Sequence, residues 1–204
     1  MASNGPSKTK SDILKDMEQP ILLGIGGNLN SHAGPPITTI ERVIDDFEDH
    51  SIHVVGRSAL YSTPCFPAGA GPDYVNAAVE VETDLTPTQL LSALHELEAK
   101  YGRERQARWA GRSLDIDLLA YGDLIAPDKE TLRRWIDLDL KNQKIESPGQ
   151  LILPHPRIQD RGFVLIPLAD IAPDWRHPLL GKTVLELLAE LSPAGRAEIC
   201  QILP

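Results

Sequence analysis

Asp115 and Asp117 lie one residue apart in the run Arg112-Ser113-Leu114-Asp115-Ile116-Asp117-Leu118-Leu119. On a β-strand, residues two apart point to the same face, so the two carboxylates would stand side by side while Leu114, Ile116 and Leu118 turn toward a core. Like charges at that spacing repel unless a cation joins them. Magnesium takes hard oxygen ligands, keeps several waters and binds through one or two carboxylates plus substrate phosphates, which suits such a pair. A solvated strand face has the same appearance when the motif stands alone, so its neighbours decide. Directly upstream, 102–112 carries Arg103, Arg105, Arg108 and Arg112 against the single acid Glu104, in a chain of net charge -9. Guanidinium forks match phosphate oxygens, and positive charge is what a polyphosphate leaving group needs as transfer proceeds. Arginines beside paired carboxylates make a candidate phosphate site.

Two further groups carry polar and aromatic side chains in useful combinations. In Leu153-Pro154-His155-Pro156-Arg157 and Arg161-Gly162-Phe163, His155 and Arg161 can reach phosphates, and Phe163 can offer a ring face to a flat heterocycle. Taken singly, His155 also fits a turn residue fixed by two prolines. Tyr74-Val75-Asn76 opens a strand with a ring and an amide able to pair with a donor-acceptor edge, although a tyrosine there also serves simple packing.

The elements that must position these residues can be read from periodicity. Residues 21–25 form a short apolar run ended by Gly26-Gly27-Asn28, a buried strand entering a glycine turn. Ile37, Ile40, Val43, Ile44 and Phe47 recur at helical spacing. Residues 52–61, rich in β-branched side chains, predict one second strand stopping at Thr63-Pro64, and a proline- and glycine-rich loop follows to Asp73. Residues 74–82 alternate as a half-exposed third strand, with Val75, Ala77, Val79 and Val81 inward and Asn76, Ala78, Glu80 and Glu82 outward. Thr86-Pro87-Thr88-Gln89 is a capping box with proline at the first helical position, followed by Leu90, Leu91, Leu94, Leu97 and Glu98. Residues 114–121 form the fourth strand. The order β-α-β-β-α-β predicts an α+β, ferredoxin-like fold, an antiparallel sheet with both helices on one face. Residues 163–171 and 184–191 add short C-terminal helices, the second capped by Thr183.

The expected organisation is a polar extension without regular structure over 1–20 and a single domain over 21–204. A charged insertion at about 126–150 interrupts that domain, in which Leu132, Trp135, Ile136 and Leu140 can form a short amphipathic helix. The negative charge disfavours nucleic acid and anionic membranes as partners. Only Cys65 and Cys200 are present, in no metal-ligand spacing, so neither disulfide nor zinc is indicated and a reducing cytoplasm fits. Nothing in the sequence is apolar and long enough for a membrane span, and a monomer is expected.

Taken together and in this order, the motifs resemble the hydroxymethyldihydropterin pyrophosphokinase family. Gly24-Ile25-Gly26-Gly27-Asn28-Leu29 is similar to its first strand and glycine turn, Tyr61-Ser62-Thr63-Pro64 to its pterin loop, and Asp73-Tyr74-Val75-Asn76 to its pterin-binding strand. The arginine loop, the Asp115/Asp117 strand, Pro154-His155-Pro156 and Arg161-Gly162-Phe163 complete a likeness running over about 21–178. It implies transfer of pyrophosphate from Mg-ATP to 6-hydroxymethyl-7,8-dihydropterin, giving AMP and the pterin diphosphate in folate biosynthesis. It further implies that Asp115 and Asp117 hold two magnesium ions, and that Arg103 and Arg112 assist transfer. Glu98, Arg105, Trp109, His155 and Arg161 would bind ATP. Thr63, Pro64, Cys65, Phe66, Tyr74, Asn76 and Phe163 would bind the pterin, with Tyr74 and Phe163 on its two ring faces. Gly27 stands where the family usually has serine.

Two other classes remain open on the residues alone. A regulatory or RNA-binding module on the same architecture would need exposed aromatics on the central strands and a basic sheet face, whereas those strands carry Ile25, Val79 and Val81. An ordinary kinase with another hydroxyl acceptor would release ADP.

Overall fold

A computed structural model describes residues 20–65, 71–102, 111–139, 142 and 145–203. The chain runs β1 (Ile21–Gly27), α1 (Pro36–Asp46), β2 (His53–Arg57), β3 (Tyr61–Thr63), β4 (Tyr74–Glu82), α2 (Pro87–Lys100) and β5 (Asp115–Tyr121). It continues through α3 (Lys129–Ile136), α4 (Gly162–Ile171), α5 (Val184–Glu190), α6 (Pro193–Ala197) and the two-residue β6 (Cys200–Gln201). The sheet order is β5-β1-β4-β3-β6, with β2 also paired to β4, and every pairing is antiparallel. This is the α+β arrangement expected from the sequence.

Alternation explains the two sides of the sheet. Ile21, Leu23 and Ile25 of β1, Val75 to Val81 at odd positions of β4, and Ile116 and Leu118 of β5 are buried together with Ile40 and Val43 of α1 and Leu90, Leu94 and Leu97 of α2. Thr86 caps α2 through the reciprocal bonds of a capping box, with Pro87 starting the helix as expected. Tyr101, just past α2, donates its hydroxyl to Asp46 at the end of α1 (2.6 Å), tying the two helices together.

The second face, where 74–82 was expected to be half-exposed, is covered by the C-terminal helices. Leu22, Ala78, Leu119 and Ala120 are buried against Val164, Leu165 and Leu168 of α4 and Val184 and Leu187 of α5. Asn76 and Ala78, expected to face solvent, are therefore buried, whereas Glu82 at the strand end is exposed.

The expected single strand over 52–61 is broken into β2 and β3. At the break the Ser58 hydroxyl takes the place of a ladder partner: it accepts from the Ala78 N–H (2.9 Å) and donates to the Ala59 carbonyl (2.7 Å). The Ala59 N–H is then turned toward α4, where it donates to Asp170 (3.1 Å). The buried Tyr61 hydroxyl also donates to Asp170 (2.9 Å), and burial followed by that carboxylate pushes its pKa up to about 12. One carboxylate thus fastens the second helical layer to the sheet edge.

Removing Asp170 leaves two donors without their acceptor, whereas removing the Tyr61 hydroxyl leaves Asp170 still bonded to Ala59. Asp170→Ala should therefore cost about 1–3 kcal/mol of unfolding free energy, more than Tyr61→Phe. Urea titration of both variants checks this, and a larger loss for Tyr61→Phe would contradict the proposed asymmetry.

Candidate active site

Register puts the candidate residues into one row. Asp115 of β5 faces Gly26 of β1, Gly26 faces Asn76 of β4, and Asn76 faces Tyr61 of β3. Directly opposed residues share a face, so Asp115 and Asn76 flank a position with no side chain. One row further, Asp117, Gly24 and Ala78 repeat the arrangement. At Gly26 an added Cβ would stand 2.8 Å from the Asn76 Oδ1, so a side chain there would displace the Asn76 amide. Asp115 and Asp117 point away from the Ile116/Leu118 core, to the side that α4 covers further along the sheet.

Cations meet both carboxylates. An Arg112 guanidinium nitrogen lies 2.5 Å from Asp115, and Arg161 lies 3.7 Å from Asp117. Both acids are partly exposed, so they retain access to solvent and ligand. The Arg161 guanidinium also stands 5.6 Å from the centre of the Phe163 ring, and Phe163, in the first turn of α4, is 39% exposed. An exposed aromatic beside the acid pair and away from the core is available to a flat ligand.

Arg112 is held by its backbone. The buried Asn28 accepts the Arg112 N–H on Oδ1 (2.9 Å) and donates from Nδ2 to the Pro72 carbonyl (3.0 Å). The N–H groups of Asn28 and Leu29 both donate to the Arg112 carbonyl (2.8 and 3.1 Å). At Gly27, a Cβ would come within 2.6 Å of the Ser113 carbonyl oxygen, so the seat of Arg112 fits this glycine and a serine would need the backbone to shift.

On the other side of the glycine lane, the Asn76 Nδ2 donates to the Thr63 hydroxyl (2.8 Å), and both residues are buried. Tyr74 sits opposite Thr63 in the ladder. Burial, and then the neighbouring Cys65 sulfur, raise the Tyr74 pKa above its ordinary value, with Arg112 and Asp115 acting on it in opposite directions. Pro64 is exposed and Cys65 is a free, partly buried thiol.

A cavity of about 550 Å³ adjoins Asp117 on the outer side of β5. Three consecutive residues of this edge strand, Ile116, Asp117 and Leu118, line it together with His155, Arg157 and Arg161, so it opens along the strand's free edge. His155 keeps part of its surface, but its packed surroundings desolvate the ring. With Arg161 also disfavouring a charge there, and Asp115 only partly offsetting it, its pKa is pushed down to about 3. Its Nδ1 accepts the Arg157 N–H (3.1 Å), which puts the proton of the neutral ring on Nε2. His155 is thus a neutral N–H donor.

Glu98 does not line this cavity. It is 2% exposed, and its Oε1 accepts the Ile116 N–H (2.7 Å), so it fixes the edge of β5 from the side of α2. Phe66, Arg103, Arg105 and Trp109 lie outside the described residues. Asn28, Arg157 and Trp135 were not singled out as site residues from the sequence. A polar residue directly after a glycine turn was the available signal for Asn28, whereas nothing local marked the other two.

The fold and this site define a member of a known enzyme family. The family described as 7,8-dihydro-6-hydroxymethylpterin-pyrophosphokinase (HPPK) matches residues 22–173. A Synechocystis sp. protein named 2-amino-4-hydroxy-6-hydroxymethyldihydropteridine pyrophosphokinase is 34% identical over 83% of this chain and 75% of its own length. A protein of the same name from Methylorubrum extorquens is 37% identical over 85% of this chain and 94% of its own. Among solved structures, a wild-type HPPK-DHPS of Plasmodium falciparum superposes with a TM-score of 0.57 at 15% identity, a likeness of fold that covers 84% of this chain and 43% of that one. This chain belongs to the HPPK family.

Two desolvated imidazoles should make the fold sensitive to acid. Like His155, the fully buried His177 accepts backbone N–H groups on Nδ1, from Leu179 and Leu180 (both 3.2 Å), and burial pushes its pKa down to about 4. Both values lie below the ordinary 6.5, so the unfolded chain binds more protons between the two limits. The stability these rings contribute is complete above about pH 6.5 and declines as pH falls toward 3–4. The urea midpoint should be lower at pH 5 than at pH 7, and the drop should shrink in a His155→Asn/His177→Asn double variant. An equal drop in that variant would show that other groups carry the acid sensitivity.

Proposed function

We propose that the chain transfers the pyrophosphoryl group of ATP to 6-hydroxymethyl-7,8-dihydropterin at the face shared by Asp115, Asp117, Asn76 and Tyr74. The observation that carries this reading is the register row Asp115–Gly26–Asn76, which puts the acid pair with its arginines and the polar and aromatic side chains of Asn76 and Tyr74 on one side of the sheet. The pterin lies in the lane above Gly26, with its polar edge against Asn76 and the 63–66 segment and its ring faces toward Tyr74 and Phe163. ATP lies along the free edge of β5, its phosphates reaching Asp115 and Asp117.

The donor set fits magnesium. Two partly exposed carboxylates supply hard oxygen ligands and leave the remaining positions to phosphate oxygens and water. Among the described residues no third His, Cys, Asp or Glu joins them. Two magnesium ions bound there with ATP would neutralise phosphate charge and polarise the β-phosphoryl group. Arg112 and Arg161, each now against one of the acids, contact the phosphates, Arg103 and Arg105 add further charge, and Trp109 contacts the nucleotide. His155 contributes an uncharged donor at Nε2. Glu98 acts through β5, by holding the backbone between the two aspartates.

With both substrates seated, the pterin hydroxymethyl oxygen attacks the β-phosphorus as the bond from that phosphorus to the α,β-bridging oxygen breaks. AMP leaves with the bridging oxygen, and the hydroxyl proton passes to solvent. Chain groups hold the reacting atoms in line, and transfer to a phosphorus so surrounded by cations needs no strong protein base.

The 21–204 region is read as one catalytic domain acting as a monomer in the cytoplasm, with 1–20 as an extension and 126–150 as an insertion. Among the described residues, no helix is long and apolar enough to cross a membrane.

With Mg-ATP and the dihydropterin, the purified chain should release AMP and the pterin diphosphate. Release of ADP would instead identify an ordinary kinase. Asp115→Ala and Asp117→Ala should each lower kcat by about two to four orders of magnitude, the scale expected when transition-state charge stabilisation is removed, with the melting temperature nearly unchanged. A variant of near-full rate would remove its aspartate from the metal site. Phe163→Ala should weaken pterin binding about tenfold while altering ATP binding little, as read by calorimetry; the reverse ranking would place the ring on the nucleotide side.

A further inference from the structure

The insertion supplies one wall of the cavity beside β5. The cavity lining includes charged side chains, with Asp117, Arg157 and Arg161. It also includes apolar and aromatic ones, Leu91 of α2, Leu151 and Ile152, and Trp135 from α3. Charged groups together with apolar and aromatic surface are what a nucleoside triphosphate presents in complement.

Helix α3 is built into the fold. Asp128 caps its start through the Thr131 N–H (2.8 Å), and Leu132 is fully buried. Just before the helix, Ala126 exchanges both backbone hydrogen bonds with Leu153 (3.0 Å each), two residues ahead of His155. At the other end, Arg157 donates to the carbonyls of Ile136 (3.0 Å) and Trp135 (3.5 Å), where a cation is favoured by the helix dipole. The same Arg157 lines the cavity, so one side chain joins the end of α3 to the cavity wall. Arg134 stands 5.7 Å from the centre of the Trp135 ring and pairs with Glu146 (2.9 Å), itself a wall residue.

We infer that Trp135 contacts the base of the bound nucleotide, so that the insertion sets how tightly this chain holds the nucleoside half of its donor. The inference rests on the assignment of the cavity to ATP. An indole offers any base a stacking face, while the backbone of the irregular segment 148–152 along the same wall has polar groups for the base edge.

The test separates base from phosphate. Calorimetry with magnesium compares ATP and inorganic tripolyphosphate on the full chain and on Trp135→Ala, Trp135→Leu and Trp135→Phe. Trp135→Ala and Trp135→Leu are expected to lose about tenfold or more in ATP affinity, with tripolyphosphate binding within about twofold of wild type, and Trp135→Phe to keep most of the ATP affinity. Trp135→Leu preserves apolar volume, so the comparison survives if the alanine variant folds poorly. Equal losses for both ligands would make Trp135 a support of the wall, and an unchanged ATP affinity would remove it from the site; either overturns the inference alone. A wild-type chain that binds neither ligand and releases no AMP overturns the ATP assignment and the inference with it.

Discussion

The site depends on a lane without side chains through the middle of an antiparallel sheet. Antiparallel pairing on both edges of β1 fixes which residues of β4 and β5 lie opposite each other, and Gly24 and Gly26 place no side chain between them. The acid pair on one flank and the Asn76 amide on the other can then address a single ligand cleft. A one-residue slip of either neighbour would turn its polar residues into the Ile25/Leu97 core and its apolar ones outward, so burial of the opposite face enforces the register. The α1/α2 layer thus contributes to the site by fixing the register of the strands that carry it.

The second layer does complementary work. Helix α4 buries Val164, Leu165 and Leu168 on the chemical face, but beside the site rather than over it. Its entry carries Arg161 and Phe163, so the apolar contact that seats the helix also fixes where a cation and an aromatic ring meet the carboxylates. Asp170 near the other end secures the same helix to the Ser58 break.

Much of this was written in local sequence. Strand periodicity and the two-residue spacing gave Asp115 and Asp117 their common face, the alternation over 74–82 gave β4 its bounds, and Thr86-Pro87 with Gln89 gave α2 its start. The break at Ser58 was hidden because a side-chain hydroxyl there substitutes for a ladder partner twenty residues away. The covered second face was hidden for a different reason: α4 is apolar nearly all round, so its pattern announces burial without saying against which surface. Residues 200–201 are too short a strand for any period to register. Trp135 was legible as part of an amphipathic helix, but its place on the cavity wall follows from Arg157 and the Ala126–Leu153 bridge, contacts across a long chain separation.

Asn28 joins two loops with the two ends of one planar amide, its oxygen on the Arg112 N–H and its nitrogen on the Pro72 carbonyl. Neither attachment can travel far from the other unless a hydrogen bond is surrendered. A displacement of the acceptor-side loop at Pro72 is consequently delivered to the base of the arginine on the donor side through a lever only one residue long, giving the two halves of the cleft a mechanical joint as well as a common floor.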